Sequence, residues 1–201
     1  MAQPCFAQKT VEQFLEDPTL TQLYIEAAQI NLLTLQAVKS KRLSASALLD
    51  GEYSSQQMLS FVRKGATLYV APAFTANFEL PNDKLGVHKV FSIELDMTIP
   101  DYLEVIVKGD HAEVSAQGSF KKLQINLNTG FCFLENVGRE VRVVTQAAPI
   151  FLRQYSGIVT AFSTYGTVSA EQIPKGLSQI NVRSHSAAIK VVRNQSQTIV
   201  E

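Results

Sequence analysis

The second half of the chain repeats one pattern of apolar residues every 18 residues, with a single longer step of 21. In each of five repeats, the first of which begins at Val105, two apolar residues stand two positions apart. A second such pair follows nine residues after the first pair. All twenty residues are apolar, where a chain that is 46% hydrophobic would supply about nine. Because side chains alternate along a strand, each repeat predicts two short strands with one face inward. The first columns hold Val105/Val107, Leu123/Ile125, Val141/Val143, Val159/Ala161 and Ile180/Val182, and the second hold Val114/Ala116, Cys132/Leu134, Ile150/Leu152, Val168/Ala170 and Ile189/Val191.

A small residue stands before the second strand of every repeat, where a tight turn is needed. One two-strand coil cannot bury its inward side chains, but coils stacked on one another pair strand upon strand and merge those side chains into one core. The fold class predicted is all-β: a β-solenoid, like a parallel β-helix, of about five successive coils with period 18. The longer step is assigned to a loop at residues 173–176. The small residues are Ala112, Gly130, Ala148, Gly166 and Ala187.

The chain divides into four segments. Residues 101–193 are the predicted solenoid coils, and residues 9–100 form a less regular β-rich N-terminal region that flanks or caps the first coil. Residues 194–201 form a polar tail that could cover the last coil. Residues 1–8 are either the trimmed remnant of a secretory signal, with small residues around Ala7, or a disordered N-terminus.

The composition argues against several classes of function. Lys plus Arg equals Asp plus Glu at 18 each, so no overall basic charge favours nucleic acid or an acidic membrane. No run of about 18 apolar residues is present, so no transmembrane segment is predicted. Cys5 and Cys132 form no pair with metal-ligand spacing, and Cys132 is interpreted as a small core residue.

The sequence predicts no catalytic, cofactor-binding or metal-binding residues. A hexapeptide-repeat acyltransferase also uses coils of 18 residues, but the columns six and twelve places after Val105 are mostly polar here. A polysaccharide lyase or hydrolase on a β-helix would require carboxylates that converge on one face. Glu135 and Glu171 fall in one column, two coils apart, and we interpret them as solvated surface residues.

The most suggestive binding feature is aromatic. Phe133 and Phe151 occupy an outward column and should stack on successive coils, while Phe131 and Phe162 are placed elsewhere on the surface. Stacked rings could bind an unknown glycan or protein of a cell or matrix surface. They could equally form the seam under residues 9–100, and we favour this second interpretation.

Four segments of the chain resemble a family of secreted Gram-negative proteins known as "putative adhesins": DGEYSS, LPNDKLGVHKVFSIELDMTIPDYLEVIV, GSFKKLQINLNTGFCFLENVG and YGTVSAEQIPKGLSQINV. The resemblance covers roughly Leu20 to Val192. It implies a β-solenoid exported to the periplasm, the outer-membrane surface or the extracellular space. The function expected is that of a non-catalytic envelope or surface protein, either adhesion-like or structural. The alternative is a carbohydrate-active enzyme on a β-helix.

Overall fold

The computed structural model describes residues 9–51, 55–76 and 91–195, so the predictions for residues 1–8 and 196–201 lie outside it. The described residues form fifteen strands, and the prediction of an all-β protein is confirmed. In the part of the chain that the structure describes, no helix has the length and apolar character needed to cross a membrane. The strands are β1 (Lys9–Glu16), β2 (Gln22–Glu26), β3 (Leu32–Val38), β4 (Arg42–Gly51), β5 (Gln57–Lys64), β6 (Thr67–Phe74), β7 (Phe91–Pro100), β8 (Glu104–Gln117), β9 (Lys122–Glu135), β10 (Glu140–Thr145), β11 (Ile150–Gln154), β12 (Ile158–Ser163), β13 (Val168–Ala170), β14 (Gln179–Ser184) and β15 (Ile189–Arg193).

These strands form two hydrogen-bonded ladders. The first ladder has the order β5-β6-β2-β8-β9-β10-β14-β12, and the second has the order β1-β4-β7-β3-β8-β9-β11-β15-β13. Strands β8 and β9, of 14 residues each, belong to both and join the ladders into one sheet that does not close on itself. Neighbours run parallel except in the pairs β1–β4, β4–β7 and β5–β6.

The predicted apolar columns are register partners across the strands. In the first ladder the pairing runs Val105, Leu123, Val141, Ile180, Val159. In the second ladder it runs Val114, Cys132, Ile150, Ile189, Val168. The equivalence of these positions, derived from spacing alone, therefore corresponds to direct strand pairing.

The strand order differs from the order expected for successive coils. Two consecutive strands, one in each ladder, are called a rung here. The rung β14/β15 lies between β10/β11 and β12/β13, although it follows both of them in the chain. Residues 171–178 supply the connection that makes this possible, and Ile173 within them packs against the core. The last rung of the chain is thus inserted one place inward.

The described N-terminal strands continue the same two ladders. Strand β2 pairs with β8 through Leu23 and Val105, and β3 pairs with β8 through Leu33 and Val114. The rung β6/β7 lies outside β2/β3, and the antiparallel strands β1, β4 and β5 follow at that end. If β8 and β9 count as one rung each, because each of them lies in both ladders, seven rungs of the described chain are stacked.

One face of both ladders contributes to a single apolar cluster, because alternate residues of the paired strands turn toward it. The exception is β13, whose predicted inward residues Val168 and Ala170 are exposed. Cys132 belongs to this cluster as a free and fully buried thiol, as predicted. Burial raises the pKa of Cys132 to about 12, since the thiolate would lose its hydration. The opposite faces of the strands carry the polar and aromatic residues that remain accessible.

Candidate binding surface

Phe133 and Phe151 lie beside each other on the outer face of the second ladder. They are register partners on β9 and β11, and each follows a buried residue of its own strand. Their ring centroids are 5.5 Å apart with an angle of 17° between the planes. Both side chains are half-buried. The pair is therefore stacked as predicted from the 18-residue spacing and presents an apolar surface on the outer face.

Two cations border this aromatic pair. The guanidinium carbon of Arg153 is 5.9 Å from the ring centroids of both Phe133 and Phe151. The Nζ atom of Lys190 is 5.8 Å from the ring of Phe151, its neighbour across the β11–β15 pairing. Both distances fall within the range of cation–π attraction. The surface thus combines flat apolar rings with donors that can bind hydroxyl or carboxylate oxygens.

Arg153 is held in place by a carboxylate on the neighbouring strand. An Nη atom of Arg153 lies 3.5 Å from Glu135 Oε1, and Asn194 donates a long 3.4 Å hydrogen bond to the same oxygen. Both members of this ion pair are partly exposed, so it contributes little to stability. Its effect is to orient the guanidinium beside the two rings.

The structure brings two of the four predicted phenylalanines into ring contact, and it places a third, Phe131, on their face of the ladder rather than elsewhere on the surface. Phe131 lies two residues before Phe133, on the same face of β9, and is 38% exposed. Phe162 is 56% exposed but lies on β12 in the first ladder, where its register partner is Arg183. Phe131, Phe133 and Phe151 are called the aromatic surface below, and Phe162 is not part of it.

The proposed seam with residues 9–100 concerns the same rings. In the described parts of that region, the strands join the ladders at the β8 side, and β9 and β11 pair with none of them. The seam interpretation stays a prediction.

The column that contains Glu135 and Glu171 differs from the predicted arrangement. Glu135 is paired with Arg153 on the next strand, while the backbone N–H of Glu171 donates to Val191 on β15. Because β14/β15 is inserted, Glu171 lies three strands from Glu135, and the predicted separation of two coils is wrong. The Oε2 atom of Glu171 accepts a 2.8 Å hydrogen bond from the backbone N–H of Arg193.

The histidines of the described chain make local contacts. The Nδ1 atom of His111 is 2.9 Å from the hydroxyl of Thr129, and the ring of His185 meets Tyr165 edge-on at 5.0 Å. Within residues 9–51, 55–76 and 91–195, no cluster of three His, Cys, Asp or Glu side chains is placed to hold a metal ion.

A cleft that the sequence did not predict is a second candidate binding site. A cleft of about 530 Å³ opens on the outer face of the first ladder, among β10, β14 and β12. Arg142 and Arg183 line it, together with Asn181 and Thr160. A search for outward columns in the first ladder would have placed Arg142 and Arg183 on one face, but not on neighbouring strands, because that depends on the inserted rung.

No protein-family model matches the chain, and no curated protein matches its sequence significantly. Among solved structures, one described as a "putative cell adhesion protein" from Clostridium sporogenes is similar with a TM-score of 0.66 and 15% identity, covering 94% of this chain and 100% of the other. A "putative adhesin" from Bacteroides fragilis gives a TM-score of 0.30 at 11% identity, with 92% and 97% of the two chains covered. A third, a "putative adhesin" from Parabacteroides merdae, gives 0.24 at 8% identity, with 92% and 96% covered. The chain shares its fold with the Clostridium sporogenes protein.

Proposed function

We propose that this chain is a non-catalytic binding module of the cell envelope or cell surface, exported and adhesion-like, in which the aromatic surface contacts the ligand. The stacked pair Phe133 and Phe151, half-accessible and bordered by Arg153 and Lys190, is the observation that carries the proposal. The fold shared with a protein described as a "putative cell adhesion protein" supports it. We further propose that the two ladders are the walls of a β-solenoid that displays this surface.

The chemistry of the aromatic surface favours a ligand with flat apolar faces and polar edges. A sugar ring has this character, because its C–H groups can pack on an aromatic ring while its hydroxyls accept hydrogen bonds from Arg153 and Lys190. An aromatic or acidic stretch of a partner protein could use the same groups. The ligand class therefore comprises glycans and proteins of a cell or matrix surface.

The positions of the carboxylates weigh against a glycoside hydrolase. Three strand spacings of about 4.8 Å put Glu135 and Glu171 roughly 14 Å apart along the stack. Hydrolysing carboxyl pairs are typically about 5–5.5 Å or 6.5–9.5 Å apart. In addition, the side chain of Glu135 is already paired with Arg153 on the neighbouring strand.

The test is a glycan and matrix-protein array probed with the full chain and with the double variant Phe133→Ala/Phe151→Ala. We expect binding by the unmodified chain and a loss of about tenfold or more in the variant, since each ring contributes roughly 0.5–1.5 kcal/mol by stacking. A second double variant, with Leu at both positions, retains apolar bulk and should still lose affinity if flat rings are required.

Phe14→Ala is the matched control, because Phe14 is 55% exposed and lies on β1 at the other end of the second ladder. Circular dichroism and thermal unfolding confirm that each variant is folded. Unchanged binding by both folded double variants would contradict the proposal. Turnover of a polysaccharide that is lost in Glu135→Gln would instead support the enzymatic alternative.

A further inference from the structure

The cleft on the outer face of the first ladder carries two arginines on adjacent strands. Arg142 on β10 is the register partner of Asn181 on β14, and Arg183 lies two residues further along β14. Because residues two apart share a face, all three side chains turn outward. Adjacent strands lie about 4.8 Å apart and two residues span about 6.6 Å along a strand, so Arg142 and Arg183 start roughly 8 Å apart, short enough for both guanidiniums to reach one group.

The hydrogen bonds of the cleft leave most guanidinium donors available. Arg183 donates from Nε to the side-chain oxygen of Asn181 at 3.1 Å, which orients its guanidinium. A guanidinium has five N–H donors, so the Nη groups of Arg183 remain for a ligand. Within the described residues, neither Arg142 nor Arg183 has an ion-pair partner.

The charge of the cleft is positive. Glu140 contributes a carboxylate to the lining, but its Oε1 atom is paired at 2.6 Å with Nζ of Lys122 on β9. That pair is neutral as a unit, so the two guanidiniums determine the sign of the local potential. Arginine forks match the planar oxygens of a carboxylate and the oxygens of a sulfate.

The rest of the lining is suited to a hydroxyl-rich ligand. Thr160, Gln179 and Asn181 present one hydroxyl and two amides, which can both donate and accept hydrogen bonds. Ile158 adds an apolar edge and is 58% exposed. Phe162, the register partner of Arg183, supplies an exposed ring beside the cleft.

We propose that this cleft binds an acidic sugar chain, with Arg142 and Arg183 holding its carboxylate or sulfate group and the amides holding its hydroxyls. This site is separate from the aromatic surface, because the two lie on different ladders, and neither requires the other. The shared chemistry is an oxyanion carried on a polyhydroxylated chain. An isolated inorganic anion would leave the amides and Thr160 unused.

The experiment measures binding of three fluorescent hexasaccharides to the full chain by polarisation: an oligogalacturonate, a heparin-derived sulfated oligosaccharide and neutral maltohexaose. We expect at least one acidic hexasaccharide to bind and the neutral one to bind far more weakly, with an affinity that falls as salt rises. Arg142→Gln and Arg183→Gln should each weaken binding roughly tenfold, and the double variant should abolish it. The carboxylated and sulfated probes distinguish the two sources of the oxyanion.

Lys108→Gln is the matched control. Lys108 is exposed on β8 in the same ladder and outside the cleft, so its loss removes one positive charge without removing a cleft donor. Arg142→Lys tests whether the fork rather than the charge is needed. Equal weakening by Lys108→Gln and Arg142→Gln would overturn the proposal in favour of general attraction to the surface.

Three further outcomes would also overturn the proposal: no binding of either acidic hexasaccharide, unchanged binding by the folded double variant, and full displacement by inorganic sulfate at the same molar concentration. Phe133→Ala/Phe151→Ala should leave this binding unchanged. The proposed function and the acidic-sugar site can therefore fail independently. The phenylalanine variant tests only the aromatic surface, and the arginine variants test only the cleft.

Discussion

Gly130 lies between the part of β9 that pairs in the first ladder and the part that pairs in the second. Its φ of 100° is in the region that residues with a Cβ rarely adopt. A Cβ atom added there would also collide with the backbone carbonyl oxygen of Ala112 on the neighbouring strand. The residue is therefore required both by its own conformation and by the close approach of two stacked turns.

We expect Gly130→Ala to lower the free energy of unfolding by about 2–4 kcal/mol, because backbone strain of this kind costs about 1–3 kcal/mol and the Ala112 carbonyl must also move. Gly65→Ala is the matched control. Gly65 has φ 61° in the turn between β5 and β6, with no atom within 4 Å of the added Cβ, and should cost only about 1 kcal/mol. Urea unfolding followed by circular dichroism measures both. Equal losses would show that conformation alone, and not contact with Ala112, makes Gly130 necessary.

The two candidate sites differ in how well the sequence predicts them. Phe133 and Phe151 were found because alternation and an 18-residue spacing place them in one outward column, and both follow from the chain alone. Arg142 and Arg183 were missed because outward charged residues follow no period. Their proximity depends on which strand lies next to β10, and the local sequence does not determine that.

At the level of elements, the inserted rung β14/β15 has a physical reason. Its inward residues are larger than those of β12/β13, which alternate valine and alanine. A rung between two neighbours buries its inward side chains from both sides, so placing the larger residues there removes more apolar surface from water. The inner set is Ile180, Val182, Ile189 and Val191; the outer set is Val159, Ala161, Val168 and Ala170.

The sequence predicts the register of the strands but not the order of the rungs. Apolar columns determine which residues are equivalent, and they pair in the predicted register. They do not determine the order of equivalent rungs, since either set of inward residues could pair with β10/β11. The step of 21 residues and the smaller side chains of the fourth repeat were the available signals for an altered order.

Cysteine cross-linking tests the strand order. In a Cys5→Ser background, Phe151→Cys/Lys190→Cys should form a disulfide on mild oxidation, because the residues are register partners on adjacent strands. Adjacent strands lie about 4.8 Å apart, within the Cα range of about 4.4–6.8 Å for a disulfide. Phe151→Cys/Ser169→Cys should not form one, since two spacings separate these strands.

Lys190→Cys/Ser169→Cys is the positive control, because these residues are also register partners. Cys132 should not interfere, since it is buried and its pKa is raised to about 12. Non-reducing electrophoresis after unfolding, combined with peptide mapping, identifies the bonds. Cross-linking of residues 151 and 169 without cross-linking of 151 and 190 would favour stacking in chain order.

Across the whole molecule, the two ends of the stack differ. Strands β1 and β5 carry charged residues, including Lys9, Glu12 and Lys64, which discourage further strand pairing. Strands β12 and β13 carry none, and Val168 is 43% exposed although its register partner Ile189 is buried. The terminal rung therefore has fewer contacts than the central ones, and the stability of the stack should fall toward β12/β13.

One substitution made at two places tests this gradient. Val107 on β8 is fully buried between Ile25 and Ile125. Val159 on β12 is only partly buried, and within the described part of the chain its register partner is Ile180 alone. We expect Val107→Ala to lower the free energy of unfolding by about 2 kcal/mol or more, because a cavity remains between two paired neighbours. Val159→Ala should cost less than about 1 kcal/mol, since the exposed side of the residue contributes no buried contact.

Urea unfolding gives both values, and peptide-resolved hydrogen exchange should show β12 exchanging faster than β8 in the unmodified chain. Equal costs, with equal exchange rates for β8 and β12, would mean that the stack unfolds as one uniform unit.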